Sequence, residues 1–162
     1  WTWPIISPVG NYIEETGLFS KLIKEHSKIE VKTLLHLGCG GGHNDYTFKK
    51  YFKVTSLDIS EDMLSLAKKL NPEVNYKYGD MRTIRLEERF DVVTILDSIN
   101  YIKAVENLQR TFITVYEHLK PGGVFLTFVE QIGGTGDFKR NSRGNNYFIP
   151  FFNQSSCQSY LS

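Results

Sequence analysis

Residues 31–58 read VKTLLHLGCGGGHNDYTFKKYFKVTSLD. Two short apolar runs, 31–37 and 53–58, have the length and texture of buried strands. Between them stand a glycine cluster and DYTFKKYF (45–52), whose pattern fits a short helix. Strand, glycine turn, helix and strand together form the repeating unit of a parallel sheet. The same alternation continues outward in both directions. Upstream, NYIEETGLFSKLIKEH (11–26) places Ile13, Leu18, Phe19, Leu22 and Ile23 mostly on one helical face, with Gly17 as its weak point. Downstream, Ser60 is a good N-cap, and Glu61 and Asp62 put negative charge at the positive end of the helix dipole. Met63, Leu66, Ala67 and Leu70 follow at helical spacing, and Asn71-Pro72 stops that helix. EVNYKYGD (73–80) reads as a third strand and FDVVTILD (90–97) as a fourth. Residues 103–120 form a long helix with Val105, Leu108, Phe112, Val115, Tyr116 and Leu119 inward, and PGG (121–123) turns into VFLTFVE, a fifth strand. The expected fold class is α/β, a doubly wound and mainly parallel sheet.

Composition narrows the function classes. At 162 residues the chain is expected to form one domain, with 41% hydrophobic and 23% charged residues, as in an ordinary globular protein. A net charge of +1 gives no reason to expect nucleic acid or an anionic membrane as partner. No apolar run reaches the roughly 18 residues of a membrane span. The opening WTWPIISPVG lacks the basic flank and apolar centre of a secretory signal, and it lacks an initiator Met, so a trimmed or incompletely represented chain is expected. Cys39 and Cys157 are the two cysteines, and a disulfide at Cys39 would block the glycine loop. Free thiols in a reducing cytoplasm are therefore expected. Neither cysteine has a C-x-x-C partner and the four His are scattered, so no metal site is expected. After Glu130 the chain turns rich in Gly, Asn and Ser and loses helical periodicity, which predicts an irregular tail. NYFIPFF within it could make a short strand that Pro150 confines to an edge or bend.

In a doubly wound sheet, ligands bind beyond the carboxyl ends of the strands, near the reversal of strand order. The cluster Gly38, Gly40, Gly41 and Gly42 follows the first strand and lets main chain press against a ligand. A helix opening near His43 would add free N–H groups. Asp58 closes the second strand, where a carboxylate can accept from both ribose hydroxyls of an adenosine. It can equally cap the helix behind Ser60. Two cofactor classes fit these residues. A dinucleotide wants G-x-G-x-x-G, and His43 stands where its last glycine belongs, which disfavours that class without excluding it.

The remaining motifs add a resemblance. GDMR (79–82), FDVVTILDSINYI (90–102) and HLKPGG (118–123) follow LLHLGCGGG and SLDISEDMLSLAKK in an order that resembles the class I S-adenosylmethionine-dependent methyltransferases, in their small-molecule branch. The resemblance covers about residues 10–130. It implies a Rossmann-like sheet and S-adenosylmethionine as cofactor. Gly38, Cys39 and Gly40 would lie against the methionine end, Asp58 would hold the ribose, and Ile59 and Met63 would face the adenine. Asp80 would accept from the adenine amino group, the Met81 N–H would meet a ring nitrogen, and the main chain at Leu96 and Asp97 would face the ammonium. The family usually has an acidic residue where His36 stands, and a neutral imidazole supplies no negative charge. Asp97 could compensate, or His36 could be a buried, satisfied strand residue. Arg82 is read as solvated.

The expected activity is methyl transfer to a small-molecule acceptor, with no nucleic acid or membrane partner. Tyr12, His43, Asp97 and Tyr101 are candidate bases, and none is assigned as catalytic. The N-terminal helix could act as a lid, with Trp1, Trp3 and Tyr12 lining the acceptor pocket. The alternatives are a cofactor-binding domain without activity and, further off, a nicotinamide-dependent oxidoreductase. Residues 1–130 are expected to form the binding domain and 131–162 a tail of the same domain. A complete fold of this family has seven strands, so the sheet is expected to be truncated after the fifth. That would leave an open edge through which a homodimer could form.

Overall fold

The computed structural model describes residues 8–127 in full and, beyond them, the backbone of 129–130, 139–140, 146–148 and 151–152. Five strands run parallel: β1 (Thr33–Leu37), β2 (Lys53–Asp58), β3 (Asn75–Tyr78), β4 (Phe90–Ile95) and β5 (Leu119–Thr127). Their spatial order is β3-β2-β1-β4-β5, so the winding reverses between β1 and β4. The helices are α1 (Gly10–His26), α2 (Asp45–Phe48), α3 (Glu61–Leu70) and α4 (Val105–His118), with a 3-10 helix at Asp97–Tyr101. This is the doubly wound, Rossmann-like sheet that the alternation of elements predicts.

Alternation of side chains along the central strands divides the core in two. Leu34, Val54, Val92 and Leu126 point to one face, where Phe19 and Ile23 of α1 and the aromatic pair Phe48 and Phe52 pack on them. Leu35, Leu37, Val93, Ile95 and Phe125 point to the other, against Val115 and Leu119. Every residue of β4 is buried, as a strand covered on both faces requires.

The helices differ from their predicted faces. In α1 the buried residues are Tyr12, Thr16, Phe19, Ser20 and Ile23, while Ile13 is exposed. The face is rotated because Thr16 bonds Asn44 through its hydroxyl at 2.8 Å and Ser20 bonds the Thr16 carbonyl, so small polar groups serve at the contact. In α4 Val105 stands at the exposed first turn, and Thr111, Thr114 and His118 are buried in addition to Val115. The His118 ring accepts from the Leu86 N–H at 2.8 Å and lies 2.7 Å from the Thr114 carbonyl, which fixes a neutral tautomer. Helix α3 starts where Ser60 caps it, accepting from the Met63 N–H, and buries Leu64 and Ala67.

Element ends also move. β1 begins at Thr33, β3 spans only 75–78, α2 ends at Phe48, and β4 ends at Ile95 because Leu96 leaves the strand conformation and starts the 3-10 turn. β5 begins earlier than predicted, at Leu119, because residues 120–123 bulge while the ladder is kept: Phe90 pairs with Leu119 and Val92 with Val124. Gly122 carries the bulge at φ 82°.

Beyond β5, the short strands β6 (Val129–Glu130), β7 (Lys139–Arg140) and β8 (Asn146–Phe148) form a second, antiparallel sheet in the order β6-β8-β7. β9 (Phe151–Phe152) runs antiparallel to β5, with Phe125 opposite Phe152 and Leu126 opposite Phe151. The edge expected to be open therefore carries a segment of its own chain at those two pairs. NYFIPFF is two strand pieces on either side of residues 149–150. Pro150, Cys157, Trp1 and Trp3 lie outside the described residues.

Candidate functional site

The reversal between β1 and β4 opens a cavity of about 570 Å³ at the carboxyl ends of the strands. Its size is that of a pocket for a small organic ligand. Every residue expected from sequence to hold a cofactor borders it: Gly38, Cys39 and Gly40 after β1; Asp58 and Ile59 after β2; Met63 on α3; Asp80 and Met81 after β3; Leu96 and Asp97 after β4.

The glycine loop is shaped by two different demands. Gly38, Gly40 and Gly42 all have positive φ, at 74°, 54° and 77°. A Cβ on Gly38 would collide with the Ser98 hydroxyl, and one on Gly42 would lie 2.7 Å from the Tyr76 hydroxyl and 2.8 Å from the Asn71 amide. Those two positions are bare because protein atoms crowd them. A Cβ on Gly40 would meet nothing within 4 Å, so this glycine alone both bends the chain and leaves room on the cavity side. The helix expected to open near His43 begins at Asp45, with Asn44 at its N-cap, and is four residues long.

Asp58 accepts from the Gly40 N–H at 2.8 Å and from the Ser60 N–H at 2.9 Å, one bond to each carboxylate oxygen. It ties the glycine loop to the end of β2, a role not foreseen from sequence, while the helix is capped by Ser60 and not by Asp58. Each oxygen keeps a second lone pair for a ligand. Beside it, Ile59 is 58% exposed, an apolar side chain left bare at the cavity wall. Burial pushes the Cys39 thiol up, with the Asp45 and Asp58 charges adding to the effect, so Cys39 stays a protonated, packed thiol.

Arg82 is partly exposed, its side chain 40% accessible, yet it is held in an ion pair. Its Nε lies 2.9 Å from both oxygens of Asp80, its backbone N–H donates to the same carboxylate at 2.8 Å, and its side chain borders the cavity. The Arg82 guanidinium holds the Asp80 carboxyl below the usual carboxylate range, against the opposing effect of burial. Asp80 is thus a fixed anion with part of its accepting capacity already used.

His36 is also changed by its surroundings. It is 1% exposed, and its Nδ1 lies 2.7 Å from Oδ1 of Asp45, which is fully buried. A carboxylate is therefore present behind His36, nine residues on in the chain. The candidate bases all reach the cavity: Tyr12 and His43 are buried with ring centroids 5.2 Å apart, and Tyr101 and Asp97 are exposed at its rim. Burial lowers the pKa of His43, although the Asp45 charge opposes the shift, so its ring is neutral near pH 7.

Ser98, Ile102, Lys103 and Asn107 border the cavity and were not foreseen. Reading β4 as straight through Asp97 hides them, because only the 3-10 turn brings residues 98–107 back over the site. Among the described residues no three or more His, Cys, Asp or Glu stand together as metal ligands, and no helix is long and apolar enough to cross a membrane.

Comparison with known proteins follows this geometry. Residues 34–123 match the family model described as a methyltransferase domain. The chain is 35% identical over 118 residues to dTDP-3-amino-3,4,6-trideoxy-alpha-D-glucopyranose N,N-dimethyltransferase of Streptomyces venezuelae, covering 72% of this chain and 49% of that protein. It is 38% identical over 116 residues to dTDP-4-amino-2,3,4,6-tetradeoxy-D-glucose N,N-dimethyltransferase of Saccharopolyspora spinosa, covering 70% and 46%. The chain thus spans about half the length of the curated relatives it matches. Among solved structures, an amino pentose methyltransferase from Micromonospora echinaspora with bound SAM superposes with a TM-score of 0.74 at 20% identity, over 99% of this chain and 88% of that one. That likeness speaks for the fold. The matched segment runs from the first residues of β1 to the bulge of β5 and holds every cavity residue just described except Tyr12, and on this match the chain belongs to the methyltransferase domain family, in the class I S-adenosylmethionine-dependent group that its motifs resemble.

Proposed function

We propose that the cavity binds S-adenosylmethionine and that the protein methylates a small-molecule acceptor, an amino sugar being the first class to test. The observation that carries this reading is convergence: the loops after four strands and residues of α1, α3 and α4, scattered along the chain, meet around one cavity. The residues fit the cofactor on their own chemistry. The open side of Gly40 admits a ligand against the main chain, the spare lone pairs of Asp58 suit a ribose diol, and bare Ile59 with half-buried Met63 suits a planar base. Asp80 would meet the adenine amino group with the capacity that Arg82 leaves it, and the Met81 N–H would meet a ring nitrogen. The bound cofactor supplies an electrophilic methyl group on sulfur. The protein's part is then to position the acceptor and exclude water, with any acceptor proton taken by a group at the cavity. Tyr12 and neutral His43 on one wall, or Asp97 and Tyr101 at the rim, are placed for that. The amino-sugar acceptor is suggested by what the two relatives named above act on.

Residues 1–130 are read as the binding domain and 131–162 as its tail, in a cytoplasmic protein. Self-association along the part of β5 that β9 leaves free is a further proposal, checked by sedimentation over a concentration series. The deciding experiment for function is calorimetry with S-adenosylhomocysteine and with NAD, followed by methyl transfer onto a panel of dTDP-amino sugars. Tight binding of the first, none of the second, and a methylated amine are expected. Binding with no turnover on any acceptor would leave only the binding domain, and preferential binding of NAD would overturn the reading.

A further inference from the structure

Asn71 ends α3 just before Pro72, and neither common use of asparagine at a helix end applies to it. Its φ is −136°, outside the left-handed turn that favours asparagine there, and its side chain is fully buried rather than solvated. What it supplies is a pair of donors. Its amide nitrogen lies 2.9 Å from the Gly42 carbonyl and 3.0 Å from the Tyr76 hydroxyl. A carbonyl can only accept, so the nitrogen is fixed on that side and both of its protons are used. The amide oxygen has no partner among the described residues. A buried oxygen left unpaired costs free energy, so asparagine stands here for its donors and in spite of its oxygen. Because the Tyr76 hydroxyl accepts from Asn71, its own proton points elsewhere, and the nearby carboxylate is Asp45. Burial pushes the Tyr76 phenol up, and the charge of Asp45 and a hydrogen bond to it add to the effect.

The glycine loop is thus held from two sides. Gly38 and Cys39 donate their N–H groups to the Leu57 carbonyl, and Gly40 donates to Asp58, which fastens the near half to β2. The far half rests on Tyr76 and Asn71 so closely that a Cβ on Gly42 would lie only 2.7 and 2.8 Å from their polar atoms. Between the two supports stands Gly40, with open space where a Cβ would be. Neither Asn71 nor Tyr76 borders the cavity. We propose that Asn71 is a positioning residue for the ligand: by holding the Gly42 carbonyl, with Tyr76 as its brace, it fixes the far half of the loop and with it the surface that Gly40 offers to the ligand. This rests on the reading that the cavity takes S-adenosylmethionine, and it adds a residue outside the cavity on which affinity depends.

The test is calorimetry with S-adenosylhomocysteine, run well below the melting temperature of each variant, so that a loss of affinity is not a loss of folded protein. Asn71→Leu keeps the size and removes the donors, and should bind about tenfold more weakly than wild type. Asn71→Asp keeps the shape and makes donation depend on a proton: a carboxylic acid can donate to the Gly42 carbonyl, and a carboxylate cannot. Measured against wild type at the same pH, its affinity should approach the wild-type value at pH 5 and fall toward that of Asn71→Leu at pH 8. Lowered melting temperatures with wild-type affinity would make Asn71 a purely structural residue and overturn the proposal. Asn71→Asp binding no better than Asn71→Leu at pH 5 overturns it too. Should both Asn71 variants fail to fold, Tyr76→Phe decides, since it keeps the ring and removes only the hydroxyl brace. Binding weakened about threefold then supports the proposal, and unchanged binding overturns it. Wild type that does not bind S-adenosylhomocysteine at all is a different pattern, which overturns the cavity reading and this proposal with it.

Discussion

Asp58 holds two backbone N–H groups while bordering the cavity, so its substitutions touch both duties. Asp58→Ala should weaken S-adenosylhomocysteine binding about tenfold or more by calorimetry, because the ribose acceptor and the loop tie go together. Asp58→Asn should lower the melting temperature and also weaken binding, since its NH2 would face one of the two N–H donors and cannot accept from it. Its neighbour Ile59, 58% exposed, contributes little to the core, so Ile59→Ala should leave the melting temperature within a degree or so and weaken binding about threefold. The residues with this double character were legible in the sequence because they stand at fixed places beside glycines and strand ends. Arg82 was not, because whether an exposed guanidinium finds its carboxylate two residues away depends on how the backbone turns between them. Asp45 was hidden for a related reason: nine residues separate it from His36, and only the curl of the glycine loop closes that distance.

At the scale of elements, the loop between β1 and α2 makes the sharpest predictions. Gly38→Ala forces a Cβ into the Ser98 hydroxyl at φ 74°, so it should destabilise the fold by about 2–4 kcal/mol in urea unfolding. Gly40→Ala meets only backbone strain, at φ 54° with open space beside it, and should cost about 1 kcal/mol while its methyl group intrudes on the ligand. A larger loss of stability for Gly40→Ala than for Gly38→Ala would contradict this division. Elements of this kind were foreseen in type and order from hydrophobic period and turn residues, and β2 even in its bounds. The faces of α1 and α4 were not, because Thr16, Ser20, Thr111 and Thr114 are polar by type and buried in fact. Their hydroxyls are satisfied locally: those of Ser20, Thr111 and Thr114 by the carbonyl one turn back, and that of Thr16 by Asn44. Periodicity counts side chains as apolar or not and has no place for a hydroxyl paid off in this way.

For the molecule as a whole, the amino ends of the strands are tied by Asp91. This buried carboxylate accepts from the Lys32 and Thr33 N–H groups, the Thr33 hydroxyl and the Lys120 ammonium, at 2.8–2.9 Å, and so joins β1, β4 and β5. Burial alone would raise its pKa, but Lys120 and the two N–H donors outweigh that and lower it to about 2. Because the folded value lies below the unfolded one near 3.9, Asp91 adds about 2 kcal/mol of stability that is fully present above pH 4 and is lost as pH falls through 2. Asp91→Ala should remove at least that much at pH 7, and the gap between variant and wild type should close in acid, as followed by urea unfolding at pH 7, 4 and 2. Nothing in the local sequence distinguishes this aspartate, since its partners come from two segments, 32–33 and 120, far from it in the chain. At the opposite end the same strands finish in loops joined by the Asp58 and Ser98 bonds and by main-chain bonds from Gly38 and Cys39 to Leu57 and from Gly79 to Asp58, with the cavity between them. One end of the sheet is a clamp and the other a mouth. Heredity can therefore tinker with appetite at bare mouth positions such as Ile59, while a slip at the clamp is felt by every strand it binds.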